Sequence, residues 1–149
     1  MVHVVNNDIL IPDIRKELEA GKDVLFTPLG VSMRPWIEGG RDSVILRHTD
    51  TPKVGDMALA YIGPRYVLHR VVAIEGERVT LMGDGNLRGT ESCSLADVIG
   101  VVITIYAPNG KTKPLTRGRV WVRLLPIRQY LLKIYRRIYL PISQYAKKE

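Results

Sequence analysis

The chain has 149 residues, 46% of them apolar, which suits one domain with a buried core. Its single cysteine, Cys93, excludes an intramolecular disulfide, and one cysteine with three scattered histidines lacks the spacing of a structural zinc site. The net charge of +7 is unevenly placed: residues 1–110 carry 11 Lys and Arg against 14 Asp and Glu, and residues 111–149 carry 11 against Glu149 alone, so any attraction to acidic partners belongs to the tail.

No run of about 18 apolar residues suggests a membrane span. Residues 1–10 place no basic residue before their apolar stretch and do not read as a signal peptide. The expected location is therefore cytoplasmic.

Residues 8–20 predict a short helix, with Asp8 as N-cap, Ile9, Leu10, Ile14 and Leu18 on one face, and Gly21 as the stop. Pro12 fits only a first turn, so the start can shift toward Ile11. From Asp23 to Ala107 the pattern changes to short β segments. These are Val24 to Thr27, Ser43 to His48, Met57 to Ile62, Tyr66 to Ile74, Arg78 to Met82 and Val98 to Tyr106. Glu75-Gly76-Glu77 reads as a hairpin turn. Most pairs are close in sequence, so the sheet is expected to be antiparallel.

Pro108-Asn109-Gly110 ends the β region, and Lys111 to Arg119 reads as a basic linker. Pro126 opens a predicted helix that Pro141 should stop near Leu140. Ile127, Tyr130, Leu131, Ile134 and Ile138 form its apolar arc, Arg128 intrudes on that arc, and Lys133, Arg136 and Arg137 lie opposite. The chain thus divides into a helical segment at 1–22, a β domain at 23–110 and a basic amphipathic tail at 111–149. The expected fold is mainly β, barrel-like and antiparallel, with a helix before it and a helical tail after it.

Three stretches could carry chemistry. Gly30-Val31-Ser32-Met33-Arg34-Pro35 could present a serine hydroxyl on a tight turn, where backbone N–H groups can hold an oxyanion. A simple strand-to-loop turn would use the same residues. In Tyr66-Val67-Leu68-His69-Arg70-Val71-Val72, strand alternation sends Val67, His69 and Val71 one way and Leu68, Arg70 and Val72 the other. A histidine among apolar neighbours can serve as a base, or can simply be packed. Met82-Gly83-Asp84-Gly85-Asn86 fits a tight turn, with Asp84 available to orient His69.

Taken in order, G-x-S-M-x-P, then Val54-Gly55-Asp56 before a strand, then His69-Arg70, then Gly83-Asp84-Gly85-Asn86, the series resembles the type I signal peptidase and repressor-type serine peptidase superfamily. The resemblance runs over residues 24–105. A histidine before the arginine places it with the His-base branch of endoplasmic-reticulum and archaeal type. It implies a Ser32 nucleophile, a His69 base, an oxyanion site near Gly30 and Val31, and no cofactor or metal. That branch carries a further Asp beyond G-D-x-N, where this chain reads Leu87-Arg88-Gly89-Thr90-Glu91. Asp84 can orient the base, Glu91 can substitute, or the pair can act as a dyad. Val31 also stands where signal peptidases commonly have glycine.

The implied function is a serine endopeptidase acting on a peptide or protein precursor. The alternatives are an inactive or weakly active peptidase-like binding module, and a self-cleaving regulator with Ala20-Gly21 as the bond cut. The tail arc can pack on the β domain, lie on an anionic inner membrane face, or meet a partner protein. Nucleic-acid binding is not expected, because no recognition-helix module is present.

Overall fold

The structure is a computed structural model that describes residues 11–145. Helix α1 (Ile11–Glu19) precedes strands β1 (Val24–Phe26), β2 (Ser43–Arg47), β3 (Met57–Ile62), β4 (Arg65–Glu75), β5 (Arg78–Met82), β6 (Glu91–Ser94), β7 (Val98–Tyr106) and β8 (Thr112–Lys113). Helices α2 (Thr116–Arg123) and α3 (Leu125–Tyr145) follow. The expected cap at Asp8 lies outside the described residues. Helix α1 closes with Gly21 N–H donating to Leu18 O and Gly21 at φ +82°, the left-handed stop a glycine supplies. Ala20-Gly21 thus sits at a helix end and not in an extended segment.

The strands form one antiparallel half-barrel in the order β1-β2-β7-β3-β4-β5-β6, with β8 on the far part of β7. The mainly β expectation holds. Bulges interrupt the β2–β7, β3–β7 and β4–β5 ladders, and such insertions bend and twist strands. The sheet's centre is apolar on both faces. Ile14, Leu18, Phe26, Ile37, Leu46, Leu59 and Ile105 pack on one side, and Ala58, Val71, Val79, Leu81 and Val98 on the other. Strand β3 is accordingly buried at four consecutive positions, Met57 to Ala60.

Four differences from the sequence reading concern the second half of the chain. Strand β6 was not anticipated, because Glu-Ser-Cys-Ser has no apolar alternation, and an edge strand needs none. The basic linker at 111–119 is not featureless: it holds β8 and opens α2. Helix α3 runs through Pro141 to Tyr145, since proline's fixed φ is itself helical and costs the helix one donor and some crowding.

The fourth difference is the helix face. Arg128, read as an intruder on the apolar arc, is buried with Leu132, while Ile127, Tyr130, Leu131, Ile134 and Ile138 are exposed. The arc does not pack on the β domain.

Candidate active site

Ser32 lies in the loop between β1 and β2. That loop is closed by Gly40 N–H donating to Pro28 O at 2.7 Å, and Arg34 N–H donates to Val31 O at 3.1 Å. Gly30 has φ +88°, and Gly39 passes so close to the Gly30 backbone that a Cβ there would collide with it. Met33 and Ile37 plug the loop into the core. Asp42, buried, accepts from Glu38 N–H at 2.8 Å and from Lys113 Nζ at 2.5 Å, and Lys113 Nζ also donates to Trp36 O at 3.3 Å. Strand β8 thus helps to fasten the Ser32 loop.

His69 is carried by β4 and pairs across to Ala58. The register explains its companion. Val71 stands opposite Leu81, and Leu81 opposite Glu91, so these three share a face with His69. His69 Nδ1 lies 2.6 Å from Glu91 Oε2. An ionised carboxylate can only accept, so Nδ1 carries the proton and Nε2 of a neutral ring is left as a base. Glu91 Oε1 also accepts from Arg65 at 2.7 Å. Arg65 and His69 are both odd-numbered residues of β4 and project from the same face, a signal the sequence reading overlooked.

Ser32, His69 and Glu91 line one cleft of about 370 Å³, together with Gly30, Arg65 and Asn86. Phe26, Leu29, Met33, Leu59, Tyr66 and Leu68 supply apolar wall. Gly30 borders this cleft, whereas Val31 does not and turns its side chain to solvent. Among the described residues no hydrogen bond joins Ser32 Oγ to His69.

Asp84 is differently engaged. Its oxygens accept from Arg70 at 3.1 and 2.5 Å, and both side chains are almost fully buried. Arg70 also donates to Gly55 O at 2.9 Å. The expected contact of Asp84 with His69 is therefore replaced by a forked ion pair on the opposite face of β4, where strand alternation sends Arg70. Burial pushes the Asp84 carboxyl above the usual carboxylate range, while Arg70, Arg128 and His69 pull the other way.

The Gly83–Asn86 turn joins this ion pair to the serine loop and to the tail. Gly85 N–H donates to Ser32 O at 2.8 Å. A Cβ at Gly83 would lie 2.6 Å from Ser32 O, and one at Gly85 would lie 3.0 Å from Val31 O. Only glycine allows that approach. All four carbonyls of the turn are taken from the tail side. Trp121 Nε1 donates to Asp84 O at 3.1 Å, and Arg136 to Gly85 O at 2.7 Å. Arg128 donates to Gly83 O at 3.4 Å and to Asn86 O at 2.7 Å. Arg128 lies 6.0 Å from the centre of the Trp121 ring, which packs edge-on against Trp36. Burial lowers the Arg128 pKa, Asp84 opposes that shift, and Arg70 adds to it. Trp121, Arg128 and Arg136 of the tail thus hold the turn on which Ser32 rests.

The chain matches no family model, and no similar protein is found among curated ones.

Proposed function

We propose that the chain is a serine endopeptidase with the fold and chemistry of the His-base signal peptidases, cleaving an extended peptide or protein precursor. The observation that carries this reading is the shared cleft of Ser32, His69 and Glu91, with Glu91 on His69 Nδ1 at 2.6 Å. His69 Nε2 takes the Ser32 hydroxyl proton as Oγ bonds to the peptide carbonyl carbon. Backbone N–H groups at Gly30, Val31 and Ser32 are the candidate donors to the oxyanion. Glu91 stabilises the imidazolium, which passes its proton to the leaving amine as the C–N bond breaks. Water, deprotonated by His69, then attacks the ester carbonyl carbon, and the imidazolium returns that proton to Ser32 Oγ as the acyl C–Oγ bond breaks. Asp84 is assigned a positioning role through Arg70 and the Gly83–Asn86 turn.

One observation favours a second reading, a peptide-binding module: Ser32 Oγ and His69 are not hydrogen-bonded to each other. Catalytic hydrogen bonds are often long before substrate arrives, so this geometry is compatible with both. Incubation with an activated ester of a short apolar peptide separates them. A peptidase gives an acyl adduct that maps to Ser32 and is absent from Ser32→Ala. A chain that never acylates at Ser32 is a binding module.

A further inference from the structure

Helix α3 presents two unlike faces. One carries Arg128 and Leu132, buried, with Arg136 bonded to the Gly83–Asn86 turn. The other carries Ile127, Tyr130, Leu131, Ile134 and Ile138, exposed by 39–60%. At about 100° per residue the centres of the two faces lie roughly 140° apart. The apolar face cannot roll inward without breaking the side-chain bonds to the turn carbonyls. Lys133 and Arg137, both exposed, border it at the Tyr130 edge. No acidic residue occurs between residues 111 and 148.

The charge pattern selects the occupant. A second copy of the chain would set Lys133 and Arg137 against cations like themselves. An anionic bilayer accepts the apolar side chains and attracts the cations together. No helix among the described residues is long and apolar enough to cross a membrane, which fits a helix lying in the interface.

We infer that α3 seats the protein on an anionic lipid surface. Ile127, Tyr130, Leu131, Ile134 and Ile138 enter the acyl boundary, and Lys133 and Arg137 meet the headgroups. Because the other face of α3 is bonded to the turn beneath Ser32, the candidate cleft is held at a fixed orientation to the bilayer. The inference goes beyond the peptidase reading and does not depend on it.

Flotation of the full chain with phosphatidylcholine vesicles, with and without phosphatidylserine, tests it. The chain should float only with phosphatidylserine and be released by high salt. Ile127→Asn with Ile134→Asn should weaken binding about tenfold or more, with the circular dichroism spectrum unchanged. Lys133→Gln with Arg137→Gln should weaken it roughly tenfold. Ser32→Ala should float like the wild type, which separates this test from that of the peptidase. A chain that stays at the bottom with phosphatidylserine vesicles overturns the inference. So does a lipid-free dimer that the double Asn variant dissociates, because a second copy would then cover the face.

Discussion

Glu91, on edge strand β6, holds His69 Nδ1 at 2.6 Å, although the two are 22 residues apart and only Asp84 lay in a recognisable motif. The carboxylate on His69 and the carboxylate in the G-D-G-N turn have separate partners. Their variants should therefore fail in different ways.

Glu91→Gln keeps the size of the side chain and removes its charge. It should lower kcat by about 10²–10⁴, as loss of an orienting carboxylate does elsewhere. The melting temperature should change little, because Glu91 is at an edge and half-buried. Steady-state cleavage kinetics and a thermal scan check this. A variant with full kcat would mean that His69 works without Glu91.

Asp84→Asn leaves the Arg70 guanidinium buried without its counter-charge. Breaking such a pair costs about 3–5 kcal/mol, and urea unfolding should register it. Replacing both partners, Arg70→Met with Asp84→Leu, should recover a large part of that loss. If Asp84→Asn instead unfolds like the wild type and loses only activity, Asp84 belongs to the chemistry and not to the scaffold.

Gly83→Ala drives a methyl group toward Ser32 O, 2.6 Å from the ideal Cβ position. The strain should cost about 1–3 kcal/mol. Under the proposed chemistry, cleavage should fall further than stability predicts, since the atom displaced belongs to the backbone of Ser32. Gly76→Ala is the control: its φ of +60° also favours glycine, but nothing lies within 4 Å of the new Cβ.

Arg128→Met removes the donors to Gly83 O and Asn86 O. Asn86 O loses its Arg128 donor, while Gly83 O keeps the turn bond from Asn86 N–H at 3.0 Å, so the loss should be about 1–3 kcal/mol in all. Trp121→Phe, which orphans only Asp84 O, should cost less. Both should reduce kcat/KM in temperatures where the fold is intact, because a shifted turn moves Ser32. Urea titration followed by kinetics below the transition checks both parts.

Cys93 is held above the ordinary thiol range, chiefly by burial and secondarily by Asp97. The thiolate is the reactive form, so alkylation by iodoacetamide should be slow at pH 8 and should accelerate only as pH rises past the free-thiol range. A free-cysteine peptide is the reference. Equal rates at pH 8 would contradict the assignment.

Much of the fold was legible because β3, β4, β5 and β7 alternate or run apolar, and α1 has a clear stripe and a glycine stop. The alternation in β4 also separated His69 from Arg70 correctly. What escaped notice had local reasons. Strand β6 is polar because it is an edge, so Glu91 was in doubt as a partner of His69. Asp84 was the nearer carboxylate in sequence, yet β4's pleat sends its partner Arg70 away from the cleft. The periodicity of α3 identified an apolar stripe but not which face meets the protein. That was decided by the carbonyls of Asp84, Gly85 and Asn86, which take their donors from Trp121, Arg136 and Arg128. A periodic pattern carries no trace of such a demand.

The proposed peptidase chemistry requires the Ser32 hydroxyl as its nucleophile. The most direct measurement is cleavage of a diverse peptide library by the full chain, read by mass spectrometry, beside Ser32→Ala and His69→Ala at equal concentration. Defined new termini are expected with the wild type and none above background with either variant. Equal cleavage by wild type and Ser32→Ala, or no cleavage by any of them, would contradict it.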